Sequence, residues 1–266
     1  MTQIAALPDH AVISLSGEDR AGFLQGLVSN DVTQAAPGRA IWSALLTPQG
    51  RWLADFFILS DGTQLLLDCE RSQADMIIQK LGRFKLRAKI VLALTDWHVG
   101  VAWGGAPCQG ISAPDPRLPE AGFRILSPTP IKANATEAKW QAHRIALGLP
   151  DGSRDLEAER SLLLEAGFDE LNGVSWSKGC YMGQELTART RYRGLVKKRL
   201  LPVQGERALQ PGKIFDGAQE VGEIRSVAGD RGLAFVRLDR LAGELTADGQ
   251  RVTVQMPDWV KVKDAG

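Results

Sequence analysis

Lys178-Gly179-Cys180-Tyr181-Met182-Gly183-Gln184-Glu185, continued by Leu186-Thr187-Ala188-Arg189-Thr190-Arg191-Tyr192-Arg193-Gly194, is the most telling stretch of this 266-residue chain. Glycine lets a backbone take positive φ or pass close to a ligand, so two glycines around Cys180 suit a tight, exposed turn. The Lys178 ammonium and the start of a helix expected over Gln184 to Tyr192 both favour thiolate, the reactive form of cysteine. A buried, inert thiol in a glycine-rich turn fits the spacing equally well. Arg189 and Arg193, four residues apart, share a face of the expected helix and suit a carboxylate or phosphate. The same charges also suit a solvated face paired with the acidic segment at 155–170. Lys197, Lys198 and Arg199 extend the basic run, but with no RNA-binding module around it the run is a weak sign of nucleic-acid contact.

Upstream, the chain mixes strands and helices. Ala11 to Leu15 reads as a strand, and Phe23, Leu24, Leu27 and Val28 have helical spacing. Strands are expected over Ile41 to Leu46, Trp52 to Leu59 and Gln64 to Asp68, joined by the turns Thr47-Pro48-Gln49-Gly50 and Ser60-Asp61-Gly62-Thr63. A helix follows over Ser72 to Gly82, then strands over Ala88 to Leu94 and Trp97 to Trp103. Pro107 to Pro119 reads as a loop. Thr136 to Leu147 is helical, stopped by Gly148 and Pro150. Beyond Gly194, short strands at 200–204, 221–227, 232–238 and 251–256 alternate with Gly/Asp turns, the pattern of a small antiparallel barrel. The sequence therefore predicts an α+β protein with one region over 1–197 and a barrel domain over 198–266.

Composition narrows the function. Hydrophobic content of 44% and charged content of 24% are those of a globular protein, and net charge of +1 offers no general basic field. No apolar run reaches the roughly 18 residues that span a bilayer, so no membrane partner is expected. Residues 1–10 lack the pattern of a secretory signal, which makes a cytoplasmic location the default. Cys69, Cys108 and Cys180 form no C-x-x-C pair, and His10, His98 and His143 form no ligand spacing, so no metal site is expected. Neither a phosphate-binding loop nor a Rossmann fingerprint is present. Asn30, at the end of the first helix, and Asp55, in an otherwise apolar strand, are polar outliers. Asp55 faces either a cavity or the wet side of its sheet.

The motif at 178–185, with Ala188-Arg189 and Arg193-Gly194, resembles the defining motif of the YgfZ family, folate-binding proteins related to the glycine-cleavage T-protein (aminomethyltransferase). Phe23-Leu24-Gln25-Gly26-Leu27, Ser29-Asn30-Asp31-Val32, the stretch Leu46 to Asp55, and Arg144-x-x-x-Gly148-x-Pro150 are similar to further family segments, so the resemblance runs nearly end to end. It implies a T-protein-like fold, with ferredoxin-like N-terminal halves and a C-terminal antiparallel barrel. It also implies tetrahydrofolate or a derivative as cofactor. The implied role is accessory rather than conventionally enzymatic: assembly or repair of iron–sulfur clusters in client proteins, tRNA-modifying enzymes among them. On this basis Cys180 is the functional thiol with Lys178 beside it. Asn30, Asp55, Tyr181, Gln184, Glu185, Arg189 and Arg193 are the folate-binding or loop-shaping set. Two departures count against the alternative of a one-carbon transferase. Ala146 stands where the T-protein has a pterin-anchoring glutamate, and Ala54-Asp55 replaces a pair of acids. Each lost bond to a buried pterin costs about 1.5–3 kcal/mol. A tRNA-binding module using 189–199 is the second alternative.

Overall fold

The computed structural model describes residues 1–261. In chain order the α+β body runs β1 (Gln3–Ala6), β2 (His10–Ser16), α1 (Arg20–Gln25), β3 (Ile41–Leu46), β4 (Trp52–Ser60) and β5 (Leu65–Glu70). It continues with α2 (Ala74–Gly82), β6 (Val91–Leu94), β7 (His98–Trp103), β8 (Ile111–Pro114), β9 (Phe123–Ser127), α3 (Glu137–Leu147), α4 (Gly152–Asp155) and α5 (Gln184–Tyr192). Then come β10 (Lys198–Gly205), β11 (Gly212–Asp216), β12 (Gln219–Ala228), β13 (Arg231–Arg237), β14 (Leu245–Ala247) and β15 (Gln250–Val254).

Three sheets organise these elements. One has the order β3-β4-β5-β2-β6, a second β1-β7-β9-β8, and the last six strands close a barrel in the order β10-β13-β12-β11-β14-β15. Neighbouring strands are antiparallel in all three. No helix of the described residues is long and apolar enough to cross a membrane.

Strands β3 and β4 are apolar on both faces because both faces are covered. Ala54, Phe56 and Ile58 face a core shared with Leu24, Ile77 and Leu81 of the helical side. Phe57 and Leu59, on the opposite face by the two-residue period of a strand, join Trp42, Trp140, Phe168, Leu200 and Phe235 in a second core that reaches the barrel. The barrel has its own core around Val203, Ile214, Ile224 and Val236.

Helix termini follow their local chemistry. The Thr136 side chain accepts from Lys139 N–H at the start of α3, and Gly148 ends that helix in the left-handed conformation at φ 77°. The segment expected to be loop at 107–119 contains β8. This strand lies at the edge of its sheet, where a proline such as Pro114 costs no ladder bond. Four more short strands, β1, β9, β11 and β14, escaped the sequence pattern, because three to five residues give too few alternations to read.

Candidate functional site

Two features carry chemistry, and they are built from different residues. The first is a cavity of about 460 Å³ within the α+β body, lined by His10, Asp55, Phe57, Asp68, Arg117, Arg124, Trp140, Arg144 and Asp151 among others. Asp55 enters it from β4. Its Oδ2 accepts from Trp42 Nε1 at 2.8 Å and its Oδ1 from Trp52 Nε1 at 3.0 Å. Burial outweighs these two donors and pushes the carboxyl up to about 6. Asp55 thus lies in the cavity and not on the wet side of its sheet. Ala54 faces the helix-side core, as the strand period requires. A second acid there would not reach the cavity. Ala146 is exposed and outside the cavity lining, whereas Arg144, two residues earlier, lines it.

Arginines dominate the cavity wall, and all but Arg71, which donates to the carbonyls of Pro8 and His10, are tied to an acid. Arg117 makes two bonds to Asp115, at 3.0 and 2.8 Å, and lies 4.7 Å over the Phe57 ring. Arg124 pairs with Asp68 and lies 4.3 Å over the same ring. His10 Nδ1 meets Asp68 at 2.7 Å, and its Nε2 lies 3.8 Å from Asp151. Burial by itself would lower the imidazolium pKa, but the two carboxylates prevail and hold it at about 9. Arg144 bonds Asp155 at 2.7 Å and reaches the barrel at Ser226, 3.0 Å away. Of these arginines only Arg144 carried a signal in the sequence, through the segment Arg144-x-x-x-Gly148-x-Pro150. Arg117 and Arg124 match no motif, and only the fold shows that the three converge.

The second feature is the cysteine loop. Cys180 is exposed, so the buried alternative does not hold. Gly179, at φ 92°, has open space around its Cα, whereas Gly183, at φ 79°, has none. A Cβ on Gly183 would sit 2.4 Å from the Thr47 carbonyl, and one on Gly50, at φ 81°, would sit 2.6 Å from the Gly183 carbonyl. The hairpin turn before β4 therefore packs directly under the loop.

Lys178 points inward from the loop. Its Nζ donates to the carbonyls of Gln25 and Val28, both at 2.5 Å, and lies 5.0 Å over the Tyr181 ring. Burial lowers its pKa to about 8 despite the Asp31 carboxylate. Tyr181 is buried and its phenol pushed up to about 12. The Gln184 side chain accepts from Tyr181 N–H at 3.1 Å, fixing the turn into α5.

The remaining expected site residues fall elsewhere. Asn30 spends its amide on the carbonyls of Trp42 and Asn172, at 2.8 and 2.7 Å, and so joins β3 to the segment before the cysteine loop. Glu185 and Arg189 are exposed on α5, and Arg193 is exposed at its C-terminal cap. Most of the remaining basic run is paired within the protein: Arg191 pairs with Asp169 and lies 4.0 Å over Trp176, Lys198 pairs with Glu165, and Arg199 with Glu170, while Lys197 is exposed without an ion pair among the described residues. Of the expected folate-binding set, only Asp55 lines the cavity.

The geometry defines a T-protein-like protein that presents an exposed cysteine loop in addition to an internal cavity. The fold is similar to that of glycine cleavage system aminomethyltransferase T from Bartonella henselae, with a TM-score of 0.76 at 12% identity over 97% of this chain and 86% of that one. Residues 197–262 match the family described as CAF17, C-terminal beta-barrel domain. The mitochondrial iron–sulfur cluster assembly factors IBA57 of Homo sapiens and Mus musculus are 32% and 31% identical to the chain, each over 95% of it and 84% of their own length. The chain belongs to the IBA57 family, which makes the broader YgfZ resemblance more specific. An IBA57 homolog from Mycosarcoma maydis is 38% identical over 76% of the chain, which spans only 57% of that relative's length. These relatives are mitochondrial proteins, which overturns the cytoplasmic expectation. That default rested on composition and a missing signal pattern, neither of which identifies a compartment.

Proposed function

We propose that this chain serves iron–sulfur cluster assembly through the Cys180 thiol, with tetrahydrofolate or a derivative held separately in the cavity. The observation that carries the reading is the loop itself. Cys180 is exposed, yet its neighbours Lys178 and Gly183 are locked to α1 and to the β3–β4 hairpin, in a chain that aligns almost throughout with named assembly factors. One thiolate supplies one ligand, so a cluster at Cys180 completes its coordination from a partner protein or a small thiol. The cluster is cargo here, and its clients include tRNA-modifying enzymes.

The cavity fits a folate. Its volume of about 460 Å³ falls in the range of small-molecule sites. Each Asp55 oxygen receives one indole N–H and keeps lone pairs for the N–H donors of a pterin. Phe57 and Trp140 provide apolar wall, and Arg71, which lines the cavity and makes no ion pair among the described residues, offers a cation to a carboxylate tail. When bound, the folate would supply a carrier for one-carbon units; Asp55 would orient it.

Two measurements test the parts separately. Wild-type protein mixed anaerobically with a glutathione-ligated [2Fe–2S] cluster should gain visible circular dichroism, and Cys180→Ser should not. Equal signals would remove Cys180 from the reading. Calorimetric titration of tetrahydrofolate should show binding by wild type and Cys180→Ser, and its loss in Asp55→Ala. No binding by the wild type would end the cofactor assignment while leaving the thiol's role standing.

A further inference from the structure

Strand β6 ends the five-stranded sheet, with β2 on one side and no strand of the described residues on the other. Thr95 N–H donates to the Val12 carbonyl, and Ala93 pairs with Ser14 and Val91 with Ser16. Alternate residues of an antiparallel ladder turn their backbone groups toward the partner strand. Val91 and Ala93 therefore bond β2, while the N–H and C=O groups of Leu92 and Leu94 point away from the sheet. The edge is also apolar: Val91 is 58% exposed and Leu94 48%.

Immediately before β6 the chain reads Lys80-Leu81-Gly82-Arg83-Phe84-Lys85-Leu86-Arg87-Ala88-Lys89. Lys89 pairs with Glu18, but Arg83, Lys85 and Arg87 are exposed and make no ion pair among the described residues. Phe84 is exposed between them, and Leu86 is 90% exposed at φ 40°. Left-handed backbone costs a leucine roughly 1–2 kcal/mol, and here it holds an apolar side chain in water.

Native proteins blunt sheet edges with charge because a bare edge pairs with whatever strand it meets. Here the charge in the turn leading into the edge is of one sign, with the exposed Asp96 as the acid just beyond its other end. It repels a second copy of the same edge and attracts an acidic strand. Nucleic acid and membrane surfaces would use the cations but have no use for an open ladder of N–H and C=O groups. We propose that the β6 edge, with the basic turn at residues 83–87, is a docking site for an extended acidic segment of a partner protein, which adds to the sheet as a further strand. This site is independent of both Cys180 and the cavity.

The probe is a fluorescein-labelled ten-residue peptide alternating valine and glutamate, titrated into the full chain. Wild type should bind it, with slowed hydrogen exchange at the Leu92 and Leu94 amides and none added at Val91 or Ala93. Leu94→Pro removes only an outward N–H, which an edge strand tolerates, and should weaken binding about tenfold. Arg83→Glu with Arg87→Glu should weaken it by a similar factor, about tenfold, and flatten its dependence on salt, because the attraction that salt screens is gone. Binding without protection at Leu92 and Leu94 would overturn the proposal, as would no binding at millimolar peptide. So would an oligouridine that displaces the peptide and depends on the same arginines, or a wild-type dimer abolished by Leu94→Pro. The exchange measurement uses unaltered protein, so the test stands even if Leu94→Pro does not fold.

Discussion

Arg144 Nη2 donates to Ser226 Oγ at 3.0 Å, joining a helix of the α+β body to a strand of the barrel. The same guanidinium bonds Asp155, whose carboxylate also accepts from Ser226, so the joint is a closed triangle, fully buried at Arg144 and Asp155. Burial raises the Asp155 pKa in spite of the Arg144 charge. Arg144→Met would strand that carboxylate, a loss of about 3–5 kcal/mol for a broken buried pair. Urea denaturation followed by tryptophan fluorescence should show this drop. A loss below about 1 kcal/mol, the scale of an exposed pair, would mean that the joint is solvated in solution.

The cysteine loop separates two kinds of glycine. Gly179→Ala meets no atom and should cost only the left-handed penalty, about 1 kcal/mol. Gly183→Ala adds a clash with the Thr47 carbonyl and should cost at least twice as much, about 2 kcal/mol or more. Thermal melts of the two variants, compared with wild type, give the order. Equal shifts would show that the hairpin yields.

Lys178→Met keeps the stem of the side chain but leaves the Gln25 and Val28 carbonyls without their donor. Two lost bonds to a charged group should remove about 2–4 kcal/mol from the unfolding free energy. The accompanying readout is Cys180 alkylation by iodoacetamide, whose rate should change as the loop loosens. An unchanged rate at lowered stability would confine Lys178 to the fold.

Stability should fall with rising pH above neutrality, through His10. Its folded pKa of about 9 lies above the 6.5 of a free imidazole, so the folded state binds the extra proton. The contribution is complete below pH 6.5 and lost as pH climbs through 9, at up to about 1.4 kcal/mol per pH unit. Lys178, lowered to about 8, acts in the opposite sense above that pH. Urea titrations between about pH 6.5 and 8 therefore isolate the histidine, and His10→Gln should flatten the slope.

Folate affinity, if Asp55 receives the pterin as a carboxylate, should rise with pH to a plateau above about 6. One unit below that value it should be down about tenfold. Calorimetry across roughly pH 5–7.5 gives the profile, and a flat one would place the ligand away from Asp55.

The sequence was most legible where a segment carries its own signal. Thr136 and Gly148 announce the ends of α3, and Gln184 to Tyr192 forms the helix expected of it. T-protein-like architecture came through the resemblance of motifs, not through periodicity. Less legible was everything made by distance along the chain. Asp55 read as an oddity in a strand, and only pairing with Trp42 and Trp52 makes it a desolvated acceptor. Lys178 read as an activator of its neighbouring thiol, but its ammonium is spent on carbonyls about 150 residues earlier. Arg117 and Arg124 gave no pattern, and Arg144 entered only within a family-like segment, because a wall assembled from three different parts of the chain leaves no joint mark in the sequence.

Gly50 and Gly183 touch back to back, although most of the α+β body's sequence separates them. The two segments that contain them are therefore one part with two coding sites. Neither can drift alone: a side chain at Gly50 is refused by the Gly183 carbonyl, and one at Gly183 by the Thr47 carbonyl of the same turn. A transplant of the cysteine loop onto a foreign scaffold would arrive without its floor unless residues 47–50 travelled with it. In a lineage that loses the turn at Gly183 and Leu186, the hairpin glycine should lose its constraint at the same time.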